Sequence, residues 1–224
     1  MAASADPTPT GPITPTEKQH GIMAWFEKNQ KAVTYIGGGL LAVLVVGWLF
    51  VETGRRKQLA GANALDRARA AFEAGNLPTA SSEFQRVAQS FRGTSSGYAA
   101  ELALNEVRLA SGQTQIAVDE LRKFAESNPP AFYASGAHLM MGAGLENLGK
   151  FEEAALAYAR ASDLATEDYR KVDASLGAAR AYRLAGNGRE AVRVLKAIMA
   201  AYTKEVPGVA EAEVRLAELT RGVL

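Results

Sequence analysis

The sequence predicts an all-α protein: a single N-terminal transmembrane helix followed by an α-solenoid of about four and a half helical hairpins. Two observations predict it. Residues Ala32–Val51 read AVTYIGGGLLAVLVVGWLFV, twenty positions without a charge, and a helix of that length at ~1.5 Å per residue spans the ~30 Å hydrocarbon core of a bilayer. Beyond Lys57, four sequence columns recur at a constant interval of 37 residues, which is how a stacked-repeat architecture shows itself.

Composition narrows the function classes. The chain has 224 residues, with 25 Lys+Arg against 24 Asp+Glu, so it is neither a strongly basic nucleic-acid binder nor an acidic tail. With no cysteine there is no disulfide, thiolate metal site or cysteine nucleophile. The two histidines, His20 and His138, lie far apart on different kinds of sequence, which argues against a histidine metal cluster or triad.

Residues 1–24 read as a disordered, Pro-rich tail. Pro7, Pro9, Pro12 and Pro15 forbid a helix there and favour an extended, solvated chain. A PxxP-type docking ligand is the alternative reading.

Residues 25–57 read as the anchor with its interfacial flanks. Trp25, Phe26 and Tyr35 mark one end of the apolar run and Trp48 and Phe50 the other, the headgroup-level placement of aromatic rings. A core helix of a soluble protein would show a polar face. A cleaved signal peptide would need a small-x-small site, which VETGRR after the run does not offer, so the anchor reads as uncleaved. Gly38 and Ala42 form a small-xxx-small pair suited to packing against another transmembrane helix. Lys18, Lys28 and Lys31 on one side balance Arg55, Arg56 and Lys57 on the other, so flanking charge leaves the orientation open.

Residues 58–224 form the repeat domain. Each copy has a Gly that ends a helical run, with Ala five positions later: Gly75 and Ala80, Gly112 and Ala117, Gly149 and Ala154, Gly186 and Ala191. A large residue follows four after the Ala (Phe84, Leu121, Tyr158, Leu195), and a leucine precedes each Gly by ten (Leu65, Leu102, Leu139, Leu176). The Gly takes the left-handed conformation at a helix end. The Ala sits where two helices of a hairpin cross, and the large residue fills the gap one turn on. The units run about 59–95, 96–132, 133–169 and 170–206. Asn128-Pro129-Pro130 closes the second, and the run from Arg92 through Ser95-Ser96-Gly97 closes the first. After Pro207-Gly208 the stretch 208–222 reads as a capping helix over the final apolar face. Nine helices are expected from about Leu59 onward.

This pattern, above all GLENLGKFEEAALAYARA at 144–161, resembles the tetratricopeptide repeat. Three extra residues per unit imply longer loops than that family's usual 34 residues. In the small-residue column seven before the Gly stand Ala68, Asn105, Gly142 and Ala179; Asn105 departs from the pattern and makes the second unit the least regular. The resemblance implies a right-handed superhelix whose first helices line a concave, protein-binding face. On it the positions after the leucine column, Arg69, Glu106 and Arg180, then Phe72, Leu109, Glu146 and Arg183, are the candidate groove residues, amphipathic and suited to an extended peptide or a partner helix. The leucine column itself either packs the core or floors that groove. It stands where the cations of a terminal-carboxylate grip would be needed, so that mode is not expected. Met140 and Met141 read as buried.

No catalytic, cofactor or metal site is expected. GAGLENLG (142–149) lies within a helix with no strand before it. His138 has no partner at triad-like spacing and reads as a surface histidine of a first helix. Asp119/Glu120 and Glu152/Glu153 read as solvated charge.

The N-terminal region, WFEKNQKAVTYIGGGLLAVLVVGWLF, followed by these repeats, is similar to the bacterial family of ancillary Sec-translocon subunits. That resemblance implies a single-pass inner-membrane protein whose repeats lie in the periplasm beside the protein-conducting channel and hand emerging polypeptides to chaperones. The competing expectation is a structural accessory subunit of a large inner-membrane complex, respiratory, photosynthetic or envelope-assembly. Either way the expected partners are other proteins, with lipid around residues 32–51.

Overall fold

The computed structural model describes Trp25 and residues 28–220; the whole of the expected N-terminal tail (1–24), Phe26 and the last residues of the capping stretch lie outside them. Among the described residues there are nine long helices and no strand: α1 (Gln30–Glu73), α2 (Leu77–Ser90), α3 (Ser95–Ala110), α4 (Thr114–Glu126), α5 (Ala131–Asn147), α6 (Phe151–Leu164), α7 (Asp168–Leu184), α8 (Gly188–Ala201) and α9 (Val209–Thr220). The chain divides into two compact units between Arg55 and Arg56.

In the first unit the described apolar side chains from Leu40 to Leu49 are exposed. A Cβ placed on Gly38 or Gly39 would meet nothing within 4 Å. Within α1 the stretch Gly38–Glu73 is long and apolar enough to cross a membrane by length and composition. The exposed run from Leu40 to Leu49 is apolar all round and packs against nothing among the described residues of this unit.

The second unit is an α-solenoid, and its turns repeat in atomic detail. Gly75, Gly112, Gly149 and Gly186 have φ of 74°, 78°, 73° and 79°, the left-handed conformation in which a side chain strains the backbone. At each, the glycine N–H bonds back three residues and the next N–H back five, as in Gly149 N to Glu146 O (2.9 Å) and Lys150 N to Leu145 O (2.9 Å). These paired bonds satisfy carbonyls that a helix end leaves open. The turn then enters the next helix at once, so hairpins are tight.

Packing follows the columns. Ala80, Ala117, Ala154 and Ala191 are fully buried, and so, within 3%, are Phe84, Leu121, Tyr158 and Leu195. Leu65 and Leu176 are buried, and Leu102 and Leu139 are half-buried against the core, so the leucine column packs the solenoid. Met141 is buried and Met140 half-buried against the same core. First helices of neighbouring hairpins approach one another, α3 with α5 and α5 with α7, while no pair of described second helices comes as close. The first helices therefore lie on the tighter, inner side of the stack.

Two local expectations are corrected. Ser95, Ser96 and Gly97 do not close the first unit: they are the first turn of α3, capped by the Thr94 hydroxyl, which accepts from Gly97 N at 3.2 Å. Gly97 is required by proximity, since a Cβ there would stand 2.2 Å from the Phe91 carbonyl oxygen. His138 is not a surface histidine. It is half-buried, and its Nδ1 is sealed from solvent without a hydrogen-bond partner, because the second helices on either side of α5 rise around it.

Asn105 holds the buried place that alanine or glycine holds elsewhere (4% exposed). Its amide is satisfied locally: Nδ2 donates to Glu101 O at 3.0 Å, and Oδ1 accepts from Arg108 Nη1 at 2.7 Å. A buried amide with both ends bonded costs little.

Candidate functional site

The inner face is most elaborated where the third hairpin meets the fourth. Tyr158, on α6, occupies the column that elsewhere holds Phe84, Leu121 and Leu195. Its ring lies against two backbones. A Cβ on Gly142 of α5 would come within 2.7 Å of ring carbons, and one on Gly177 of α7 within 2.9 Å. Two glycines on successive first helices thus make the slot that admits a tyrosine.

The ring carries its hydroxyl to the inner face. There it donates to Glu146 Oε2 at 3.3 Å and accepts from Arg180 Nη2 at 3.2 Å. Arg180 in turn grips Glu146 with two hydrogen bonds, Nε to Oε1 and Nη2 to Oε2, both 3.0 Å. Its guanidinium carbon stands 5.6 Å from the Tyr158 ring centroid. Burial, then the charge of Glu146, push the Tyr158 phenol up to about 12 against the opposing pull of Arg180. The hydrogen bonds that Arg180 donates to Glu146 raise the guanidinium above its ordinary value. The phenol therefore stays protonated and Arg180 charged across the neutral range.

The expected groove residues fall into distinct roles. Glu146 and Arg180 are brought together and spend their hydrogen-bonding capacity on each other and on Tyr158, so they brace one hairpin against the next. Arg183, one turn along α7, is exposed and has no ion pair among the described residues. With Arg215 and Glu218 of α9 it rims a cavity of about 200 Å³ that includes Leu195. Arg215 pairs with Glu211 and donates to Leu176 O at 3.4 Å, which ties α9 onto α7. Arg69 is exposed and pairs with Asp66 at 3.6 Å. Phe72 is half-buried against the first core cluster. Glu106 is exposed, and half-buried Leu109 approaches the position a Cβ would take on Gly144, at 3.3 Å. Gly38 and Ala42 belong to the other unit; Ala42 is exposed, and the Gly38 Cβ position is open.

Sequence reasoning missed Tyr158 as a polar member of the site. The signal was present: it is the one residue of its column with a hydroxyl, and Gly142 is the glycine of its own column. Further polar ties were equally unmarked, namely Ser135 Oγ to Ala161 O at 2.8 Å within the third hairpin and Ser162 Oγ to Ser175 Oγ at 2.9 Å between the third and the fourth.

Comparison with known proteins agrees with this architecture. Two crystal structures of the nearly identical TPR-like repeats of a Podosopora anserina protein, described as a kinesin light chain, superimpose with a TM-score of 0.58. One is 18% identical and covers 72% of this chain and 86% of its own; the other, a point-substituted form of the same protein, is 19% identical and covers 72% and 85%. That likeness shows the fold. No curated protein matches the sequence. The model of the tetratricopeptide repeat-like domain matches residues 49–173, more than half the chain, and on that match the chain belongs to the tetratricopeptide repeat-like domain family.

Proposed function

We propose that the chain is a single-pass, membrane-tethered scaffold that holds other polypeptides on its repeats, as an accessory of the Sec translocon or of the periplasmic chaperone network. The repeat fold typically serves protein interaction without catalysis. The observation that carries the membrane part is the apolar, exposed helical stretch of α1, since side chains apolar all round are stable in lipid or against a partner. The placement in a bacterial inner membrane with periplasmic repeats rests on the similarity of the N-terminal region to the ancillary translocon subunits. Within the inner face, Arg183, unpaired among the described residues, the exposed Glu106 and the half-buried Phe72 and Leu109 are the groups left to meet a partner, because Glu146 and Arg180 are occupied.

A photo-crosslinker at Arg183 in actively secreting cells tests this reading. Adducts with secreted polypeptides or periplasmic chaperones are expected. Their absence, with the protein present at normal abundance, contradicts it.

The exposed Ala42, with nothing near the Gly38 Cβ position, favours a second reading: a subunit whose anchor packs into a large inner-membrane complex. Mild detergent extraction followed by mass determination separates the two. Stoichiometric retention in one complex supports the subunit, and mixed substoichiometric partners support the translocon accessory.

A further inference from the structure

On the outer side of the stack, two grooves between successive second helices stand in the same register and differ in their charged residues. The first, between α2 and α4, is a cleft of about 520 Å³ lined by Glu101 of α3 together with Arg92, Arg108, Glu120 and Lys123. The second, between α4 and α6, is a groove of about 290 Å³. Thirty-seven residues after Glu101 its occupant is His138, and 37 after Lys123 its cation is Arg160. The cation at the Lys123 place persists as Arg160, and Arg122 of α4 stands where the first groove has Gln85. Arg92 and Arg108 are replaced by Pro129 and Leu145, the Glu101 carboxylate is gone, and the acid lining this groove is Glu153.

A second loss compounds the first. Arg86 pairs with Glu83, and Lys123 with Glu120 at 2.8 Å, each acid standing three residues before its cation. The same place before Arg160 is Ala157, and Arg160 has no ion pair among the described residues. Arg122 reaches Asp119 and Glu153 only at 3.8 and 3.9 Å. The His138 ring offers Nε2 without a hydrogen bond, and Nε2 is not the sealed nitrogen. Met141 and the exposed Leu156 supply apolar surface beside them.

We propose that the groove between α4 and α6 binds the side-chain carboxylate of an acidic residue, flanked by apolar residues, in a partner polypeptide. The carboxylate pairs with Arg160 and Arg122 and accepts the Nε2–H of His138, taking the place Glu101 fills from within one hairpin earlier; an apolar neighbour covers Leu156. This rests on the protein-binding reading of the repeats and adds the chemistry of what is bound and the face that binds it. Burial and the charge of Arg160 hold the free ring below the usual histidine range. The charged groups facing it are Arg122 from α4 and Glu153 and Arg160 from α6; none from α3 or α7 lines the groove. A bound carboxylate reverses that balance, so binding takes up a proton and is severalfold tighter at pH 6 than at pH 8.

The test is a titration of the purified full chain in detergent micelles, read by the side-chain resonances of labelled histidine, with the His138 signal assigned through His138→Gln. The probe is Ac-Leu-Glu-Leu-NH2. It should shift the His138 resonance saturably and raise its titration midpoint, and Arg160→Gln should weaken binding about tenfold. Arg86→Gln, at the paired cation of the first hairpin, should leave it unchanged. Equal binding of Ac-Leu-Gln-Leu-NH2, an equal shift with inorganic phosphate, or a response only to a peptide with a free terminal carboxylate would each overturn the proposal. Because the readout needs neither translocon nor living cell, its failure is distinguishable from a failure of the crosslinking experiment.

Discussion

Glu146 and Arg180 stand 34 residues apart on successive first helices and meet through two parallel hydrogen bonds of 3.0 Å each. In a solenoid each hairpin touches only its neighbours, so stability is close to a sum of hairpin terms and interface terms. This pair, with Tyr158 beneath it, is a polar contribution to one interface term. Its side chains are 16% and 39% exposed, Glu146 being the more enclosed.

The first prediction concerns that coupling. Glu146→Ala and Arg180→Ala should each destabilise the repeat domain by about 1 kcal/mol, the partial exposure of Arg180 letting solvent screen the pair. A double-mutant cycle by denaturant unfolding should return a coupling energy of the same order that falls with added salt.

The slot around Tyr158 gives the second. Gly142→Ala or Gly177→Ala pushes a methyl into the ring and should cost about 1–3 kcal/mol. Combining Gly142→Ala with Tyr158→Leu, the residue standing at this column in the second and fourth hairpins, should recover much of that loss. Additive losses in thermal unfolding would mean the glycine has another role.

These details mark where the sequence is readable and where it is not. Repeat spacing, the four turn glycines and the buried alanines are legible because each answers one local requirement: a positive φ, or a helix crossing with no room. The Tyr158 site is not, because it depends on which residues three helices bring together, and Glu146 and Arg180 looked like free groove ligands when read one at a time. His138 failed similarly: spacing placed it on a first helix but could not show the walls that α4 and α6 raise around it. Ser95–Gly97 looked like a loop by composition. A cap at Thr94 and the close approach of Phe91 made it a helix start.

Turn glycines supply the third prediction. At Gly149, φ is 73° and a Cβ would meet nothing within 4 Å, so a substitution feels backbone strain alone. Gly149→Ala should cost about 1 kcal/mol and Gly149→Asn less, since Asn tolerates the left-handed region. Equal costs in chemical denaturation would contradict the role assigned to the turn.

Glu101 gives a pH prediction. Burial raises its carboxyl above the usual range, with Arg92 partly opposing. The folded state thus holds its proton more tightly than the unfolded chain. Ionising it costs stability as pH rises from the unfolded value through the raised folded one, and the cost is full above both. Glu101→Gln should therefore raise the Tm slightly at pH 7, with the gain shrinking as pH falls below the ordinary glutamate range. A gain independent of pH would show that charge is not the cause.

The central claim, a protein-holding repeat domain tethered through one apolar helix, is tested most directly by protease accessibility after alkaline carbonate washing of the membranes. The account predicts that the chain stays with the membrane pellet, that protease added to spheroplasts degrades the repeats, and that inverted vesicles protect them. Release by carbonate would contradict the tether. Protection in spheroplasts with cleavage in inverted vesicles would contradict the periplasmic placement.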